Sequence, residues 1–251
     1  MEPQIIYEDK DFLAVNKPAG LLVHKVTSGK RQETSEPTLV DWILKNYPEI
    51  KGVGDPVKLP NGNYGASDPA RPGIVHRLDK ETSGVMLVAK DQKTFEYLKD
   101  LFKEHKIKKI YLALVWGEPK DRHGIIDKPL GIKSGTIKRT IHSDKMAKEA
   151  VTEYRVLKHI EFPRESASSP RQSATLLEVF PKTGRTHQIR VHLASIGHPV
   201  VGDTLYGSKT ANLKPQTSRL MLHALALEFT APDGRRMKLE ADLPKEFADF
   251  I

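Results

Sequence analysis

Gly73-Ile74-Val75-His76-Arg77-Leu78-Asp79-Lys80-Glu81-Thr82-Ser83-Gly84 sets an acid, Asp79, between two bases, and an apolar run from Val85 to Ala89 follows at once. A short apolar run bounded by turn formers reads as a buried strand. Loop-borne charges at the edge of a rigid strand are well placed for chemistry. The same residues also read as a surface ion-pair cluster, which is common and contributes little. Downstream, Asp91 reads as the N-cap of a helix with Phe95, Leu98, Leu101 and Phe102 on one stripe. Upstream, residues 51–73 are rich in Gly, Pro, Asn and Asp, lack periodicity and read as a long irregular loop.

Further toward the N-terminus, Ile5-Ile6-Tyr7, Phe12 to Val15 and Leu21 to Val23 read as a meander of short strands. Pro37-Thr38 opens a helical pattern with Leu39, Trp42, Ile43 and Tyr47 on one face. Beyond the opening stretch, Ile110 to Val115, Val151 to Leu157 and Ala174 to Phe180 read as strands, with residues 131–148 and 161–172 as loops. Residues 186–196 fit a helix with Ile189, Leu193 and Ile196 inward and Gly197 as its stop. Leu220 to Phe229 and Met237 to Ala241 read as a closing strand pair around Pro232-Asp233-Gly234. Many strands and few helices, without strict alternation, point away from a doubly wound parallel sheet. The expected class is α+β: a mixed, mainly antiparallel sheet core flanked by helices and loops, in one domain over 1–251 with no module before it.

The 251 residues contain 40 Lys and Arg against 32 Asp and Glu, a formal net charge of +8. Such an excess suits a polyanionic partner but does not require one. There is no cysteine, which excludes disulfides, cysteine nucleophiles, iron–sulfur clusters and thiolate zinc sites. No run approaches the roughly 20 apolar residues that span a bilayer. The start, Met1-Glu2-Pro3-Gln4, lacks the basic and apolar regions of a signal peptide. A cytoplasmic protein without membrane contact is expected.

Two further segments are dense in functional residue types. In Lys106-Ile107-Lys108-Lys109-Ile110-Tyr111-Leu112-Ala113-Leu114-Val115-Trp116-Gly117, a strand would place Tyr111, Ala113 and Val115 on one face. Lys106, Lys108 and Lys109 at its entrance could hold phosphates, or form the solvated end of a helix beside a core tyrosine. Pro181-Lys182-Thr183-Gly184-Arg185-Thr186-His187-Gln188-Ile189-Arg190-Val191-His192 joins a glycine, an arginine and a helix start, a reasonable anion site. Alternatively Arg185 pairs with a carboxylate to fix its loop. His187 and His192 are off the i,i+4 ligand spacing, with no suitably spaced carboxylate, so no metal is expected. Phosphate-loop and dinucleotide fingerprints do not occur, which gives nucleotide cofactors no support.

In this order, the three segments resemble the RluA family of pseudouridine synthases. His76-Arg77-Leu78-Asp79-x-x-Thr82-Ser83-Gly84 is similar to its active-site signature, and Lys109-x-Tyr111-x-Ala113-x-Val115-x-Gly117 to its tyrosine motif. Thr183 to His192 is similar to its arginine motif; Asn16-Lys17-Pro18-Ala19-Gly20, Gly197-His198-Pro199-x-x-Gly202-Asp203 and Leu222-His223-Ala224 also fit. The resemblance runs from about Ile5 to Pro244.

The resemblance implies the pseudouridine synthase fold and a cofactor-free isomerase that converts uridine in ribosomal or transfer RNA to pseudouridine. The N1–C1′ bond breaks, the base turns, and C5 joins C1′. Asp79 corresponds to the catalytic aspartate, a nucleophile or charge stabiliser at C1′. Arg185 corresponds to its pairing residue, which holds a buried carboxylate ionised. Tyr111 corresponds to the tyrosine that packs on uracil and is a candidate base. Arg77 corresponds to a residue that fills the space left by an extruded uridine, and His76 would help hold that turn. Lys106, Lys108 and Lys109, with Lys138 and Arg139, are candidate phosphate contacts, and Leu222 a candidate substrate contact. Many relatives carry a preceding S4-type RNA-binding module; without one, specificity falls to the loops at 51–73, 131–148 and 161–172. A monomer is expected. A non-catalytic RNA-binding factor reusing the fold is the alternative, and a two-carboxylate glycosidase is disfavoured because Asp79 lacks an evident acidic partner.

Overall fold

The structure, a computed structural model, describes residues 2–25, 36–58, 64–132, 138–143, 145–162, 172–207, 217, 219–248 and 250. The chain forms two compact units, Met1–Ile107 with Ala226–Asp242 and Lys108–Leu225 with Leu243–Ile251.

In the first unit, β1 (Gln4–Glu8) and β2 (Phe12–Lys17) form an antiparallel hairpin. Its turn is closed by Asp9, whose carboxylate accepts from the Asp11 and Phe12 N–H groups. The expected strand at Leu21 to Val23 does not form. Instead the Leu22 and Val23 carbonyls accept from the Leu39 and Val40 N–H groups, filling the open donors of the next helix. That helix, α1 (Leu39–Asn46), starts at a capping box made by Thr38 and Asp41. Within the stretch read as an irregular loop, β3 (Pro56–Lys58) and β4 (Tyr64–Ser67) pair antiparallel; residues 59–63 lie outside the described residues. β5 (Ser83–Ala89) is buried throughout and pairs antiparallel with β2, Phe12 opposite Ala89 and Lys17 opposite Gly84. α2 (Gln92–Lys103) follows, N-capped by Asp91 as the sequence predicts, with Phe95 and Leu98 buried.

The second unit is built on antiparallel strands in the order β6 (Lys108–Trp116), β11 (Gln172–Pro181), β10 (Val151–Phe162) and β7 (His123–Asp127). Between them, β8 (Gly131–Ile132) pairs with β9 (Arg139–Thr140) inside the expected 131–148 loop. Residues 133–137 and 144 of that loop, and 163–171 of the next, lie outside the described residues. Leu114, Val115, Leu177, Val179 and Leu193 form the centre of an apolar core. α3 (Gln188–Ser195) starts two residues later than the pattern suggests, because His187 takes a left-handed φ of 57°. Gly197, at φ 88°, follows its last turn. β12 (Leu222–Thr230) belongs to the second unit up to Leu225 and to the first from Ala226, where it pairs antiparallel with β13 (Arg236–Glu240). α4 (Lys245–Ala248) ends the chain with Phe247 buried in the second unit. The class is α+β with a mainly antiparallel sheet, as the sequence leads one to expect.

Candidate active site

Asp79, His76, Arg77 and Lys106 fall in the first unit, and Tyr111, Lys108, Lys109, Lys138, Arg139, Arg185 and Leu222 in the second.

The Asp79 segment leaves Gly73 and runs to β5. Gly73 has φ 68°; its N–H donates to the Val53 carbonyl and its own carbonyl accepts from the Ala89 N–H. A Cβ there would stand 2.6 Å from the Ala89 oxygen, so only glycine fits. His76 then packs its ring on Phe102 of α2, centroids 4.3 Å apart, and its Nε2 accepts from the Leu87 N–H at 2.9 Å. An accepting Nε2 carries no proton, so this imidazole is neutral with its proton on Nδ1. Leu78 is buried, Asp79 half-buried and Arg77 exposed. A turn closed by the Thr82 N–H on the Asp79 carbonyl leads into buried Thr82 and Ser83.

What fixes this turn from behind is Lys17. Its side chain is 0% exposed, and its ammonium donates to the carbonyls of Pro18, Leu21 and Lys80 at 2.9, 2.8 and 3.0 Å. A buried cation is tolerable only when its donors are met. The Lys80 carbonyl also accepts from the Gly20 N–H, so the Asn16–Gly20 loop and the residue after Asp79 are joined. Lys80 itself is paired with Glu36 at 2.7 Å. A lysine beside Pro-Ala-Gly gives no hint in sequence that it is buried.

In the second unit, Lys109 and Tyr111 lie on one face of β6 by the strand alternation. Tyr111 is half-buried against the core, opposite Val179. Lys108 and Lys109 are strand residues, not a helix end. The Lys108 ammonium stands over the Phe180 ring. Lys109 donates to the Thr183 carbonyl at 2.9 Å, and burial, with Arg185 and Lys182 nearby, pushes its ammonium down to about 8. Lys106 is exposed and paired with Glu104 at 2.6 Å. Leu222 is 3% exposed and belongs to the apolar core.

The arginine segment is held by a chain of hydrogen bonds. Gln188 Oε1 accepts from the Thr183 hydroxyl and the Arg185 N–H at 2.7 and 3.0 Å, while its Nε2 donates to the Val151 carbonyl and the Thr152 hydroxyl. Arg185 is half-buried, and its Nε donates to the Glu149 carbonyl at 2.9 Å. Arg190 and Asp203 form a buried two-point ion pair, both bonds 2.7 Å. Burial pushes the Asp203 carboxyl up, but Arg190 and the Leu205 and Tyr206 N–H groups bring it below its ordinary value. His192 has both ring nitrogens engaged, with the Thr152 hydroxyl and the Lys128 carbonyl, and burial lowers its pKa. Both nitrogens are spent on the scaffold, so no lone pair is left for a metal. Most of the motif is therefore a frame that presents Arg185. Nearby, Lys138 donates to the Leu205 carbonyl. The Arg139 backbone N–H donates to the Tyr206 hydroxyl, and Arg139 Nε is buried without a partner among the described residues.

The model of the family described as RNA pseudouridylate synthase matches residues 11–195. The chain is 40% identical over 252 residues to an uncharacterized RNA pseudouridine synthase of Aquifex aeolicus, covering 97% of this chain and 70% of the relative. It is 37% identical to ribosomal large subunit pseudouridine synthase D of Zymomonas mobilis, over 97% of this chain and 70% of that protein. It is 35% identical to tRNA pseudouridine synthase C of Haemophilus ducreyi, over 92% and 87%. Among solved structures, human RNA pseudouridylate synthase domain containing 1 superposes with a TM-score of 0.69 at 27% identity, over 97% of this chain and 84% of the other. A family match that takes in both the Asp79 and the Arg185 segments, together with this fold, means that the chain belongs to the RluA-type RNA pseudouridylate synthases, isomerases that act on uridine in RNA.

Proposed function

We propose that the two units together form one catalytic domain that flips a uridine of ribosomal or transfer RNA out of its stack and isomerises it at Asp79. The observation that carries this reading is the Asp79 turn: a half-buried carboxylate on a loop clamped to the Asn16–Gly20 segment by a fully buried lysine. Such clamping holds a reacting group still without consuming it. In this reading the Asp79 carboxylate meets C1′ as the N1–C1′ bond breaks, Arg185 supplies the cation that keeps the carboxylate ionised, and Tyr111 packs on the uracil ring. Extruding a base costs a few kcal/mol, and exposed Arg77 is suited to filling the vacated space. Lys106, Lys108, Lys109, Lys138 and Arg139 are the phosphate contacts; the ammonium groups of Lys106, Lys109 and Lys138 also have protein partners in Glu104, Thr183 and Leu205. Leu222, 3% exposed in the apolar core of the second unit, has little surface with which to touch the base. The isomerisation keeps every atom and needs no oxidant, so it calls for no cofactor; in this reading the enzyme is a monomer that meets its RNA in the cytoplasm.

Both kinds of RNA are represented among the relatives, and the ribosomal reading rests on the Zymomonas mobilis protein as the transfer-RNA reading rests on that of Haemophilus ducreyi. Asp79→Asn is expected to abolish tritium release from RNA carrying 5-tritiated uridine while RNA binding by filter retention persists. Turnover retained in that variant would remove Asp79 from the chemistry.

A further inference from the structure

Arg77 is exposed, and a long, flexible cation at an exposed turn needs something to hold its direction if it is to enter an RNA helix. Among the described residues His24 does so, half-buried just beyond the Asn16–Gly20 loop. His24 Nδ1 lies 2.9 Å from the Lys25 carbonyl. A carbonyl only accepts, so Nδ1 carries the proton and Nε2 keeps its lone pair. That lone pair faces Arg77 Nη1 at 3.5 Å, a long hydrogen bond in which the guanidinium donates. The ring is therefore an acceptor aimed at a cation, fixed in that tautomer by its other nitrogen.

We propose that His24 is the positioning residue for Arg77, holding the guanidinium in the direction from which it replaces the extruded uridine. This rests on the reading of Arg77 given above and adds the device that sets its aim. It also makes the aim depend on protons. A proton on Nε2 would turn the acceptor into a second cation facing the first. Burial lowers the His24 pKa below 6.5, the Lys25 carbonyl raises it, Arg77 and Arg71 lower it again, and Asp68 raises it. The Asp68 carboxylate is partly committed, accepting from the Ala70 N–H at 2.9 Å. The neutral, accepting ring thus holds at neutral pH and above, and is lost as pH falls through the lowered pKa.

The test uses tritium release by the full chain from total RNA carrying 5-tritiated uridine, prepared from cells lacking the gene, at saturating and limiting RNA. His24→Phe keeps a planar ring and removes the acceptor; His24→Gln restores an acceptor that cannot take up a proton. At neutral pH, His24→Phe is expected to lose about tenfold at limiting RNA, with much less loss at saturation, and His24→Gln to match the native chain. At about pH 5.5 the native chain should fall toward His24→Phe while His24→Gln keeps its lead over both. The double variant His24→Phe/Arg77→Met should be no slower than Arg77→Met alone. Equal rates for His24→Phe and the native chain, with Arg77→Met impaired, would overturn the positioning role and leave the Arg77 reading standing. Additive losses from the two substitutions would do the same. Native rates in Arg77→Met would remove Arg77 from the mechanism, and this inference with it.

Discussion

Lys109 shows how a single side chain carries the conflict between folding and function. Its ammonium is held at about 8 by burial and by the neighbouring Arg185 and Lys182 cations, against an ordinary 10.5. In the unfolded chain the same group stays protonated to the higher value. Between these two values the unfolded state binds more protons, so stability rises with pH across that window and is lower at neutral pH. Lys109→Met is expected to flatten that rise: urea midpoints of the native chain should climb from about pH 8 to pH 10 relative to those of the variant. A parallel pH course in both would show that Lys109 titrates normally. Neither the burial of Lys109 nor that of Lys17 was legible in the sequence, because lysine is ordinarily a surface residue and its partners here include carbonyls of the distant Lys80 and Thr183. Asp79, Tyr111 and Arg185 were legible through the resemblance of their three segments to the RluA family; spacing alone left each open to a structural role.

At the scale of elements, local rules succeeded where they act alone. Thr38 and Asp91 were both read as helix starts, and both accept from a backbone N–H of the first turn. Asp91→Ala should cost about 1 kcal/mol in urea unfolding with no change in the transition's slope. Elements whose form depends on a neighbour were harder to see. β7 alternates exposed and half-buried residues, with Ile126 alone buried, because it lies at the end of its strand order and only one side is paired. The far half of β10 is largely exposed, with Ile160 and Phe162 half-buried against the core, and it pairs with β11 as far as Phe162. Leu21 to Val23 has strand composition, but its carbonyls are used by the start of α1, a demand the pattern of side chains does not record. The left-handed His187 shortens α3 for a similar reason: its Nδ1 is bonded to the Tyr206 hydroxyl, nineteen residues on.

At the scale of the whole molecule, the net charge of +8 sets the terms on which RNA is met. Affinity from phosphate contacts falls with salt, by a slope of about 0.7 to 0.9 per phosphate neutralised. Lys108 and Lys106 test this. Lys108→Ala is expected to weaken binding of unrelated RNAs alike and to lower the salt slope by about one, and Lys106→Ala, which also releases Glu104, to lower it by less because the freed carboxylate repels phosphate. Equal slopes for both variants and the native chain, measured by titration at several salt concentrations, would place phosphate binding elsewhere.

The first unit takes its last strand from the far end of the polypeptide. Tyr97 donates to the Thr230 carbonyl, and the Phe12 ring meets that of Phe229 edge-on. A ribosome therefore releases the N-terminal hundred residues long before it makes Ala226–Asp242, the segment that completes them. Sequential maturation, first unit and then second, is closed to this chain: the part synthesised earliest waits, with Phe12 lacking the Phe229 ring, until Lys108–Leu225 has been made.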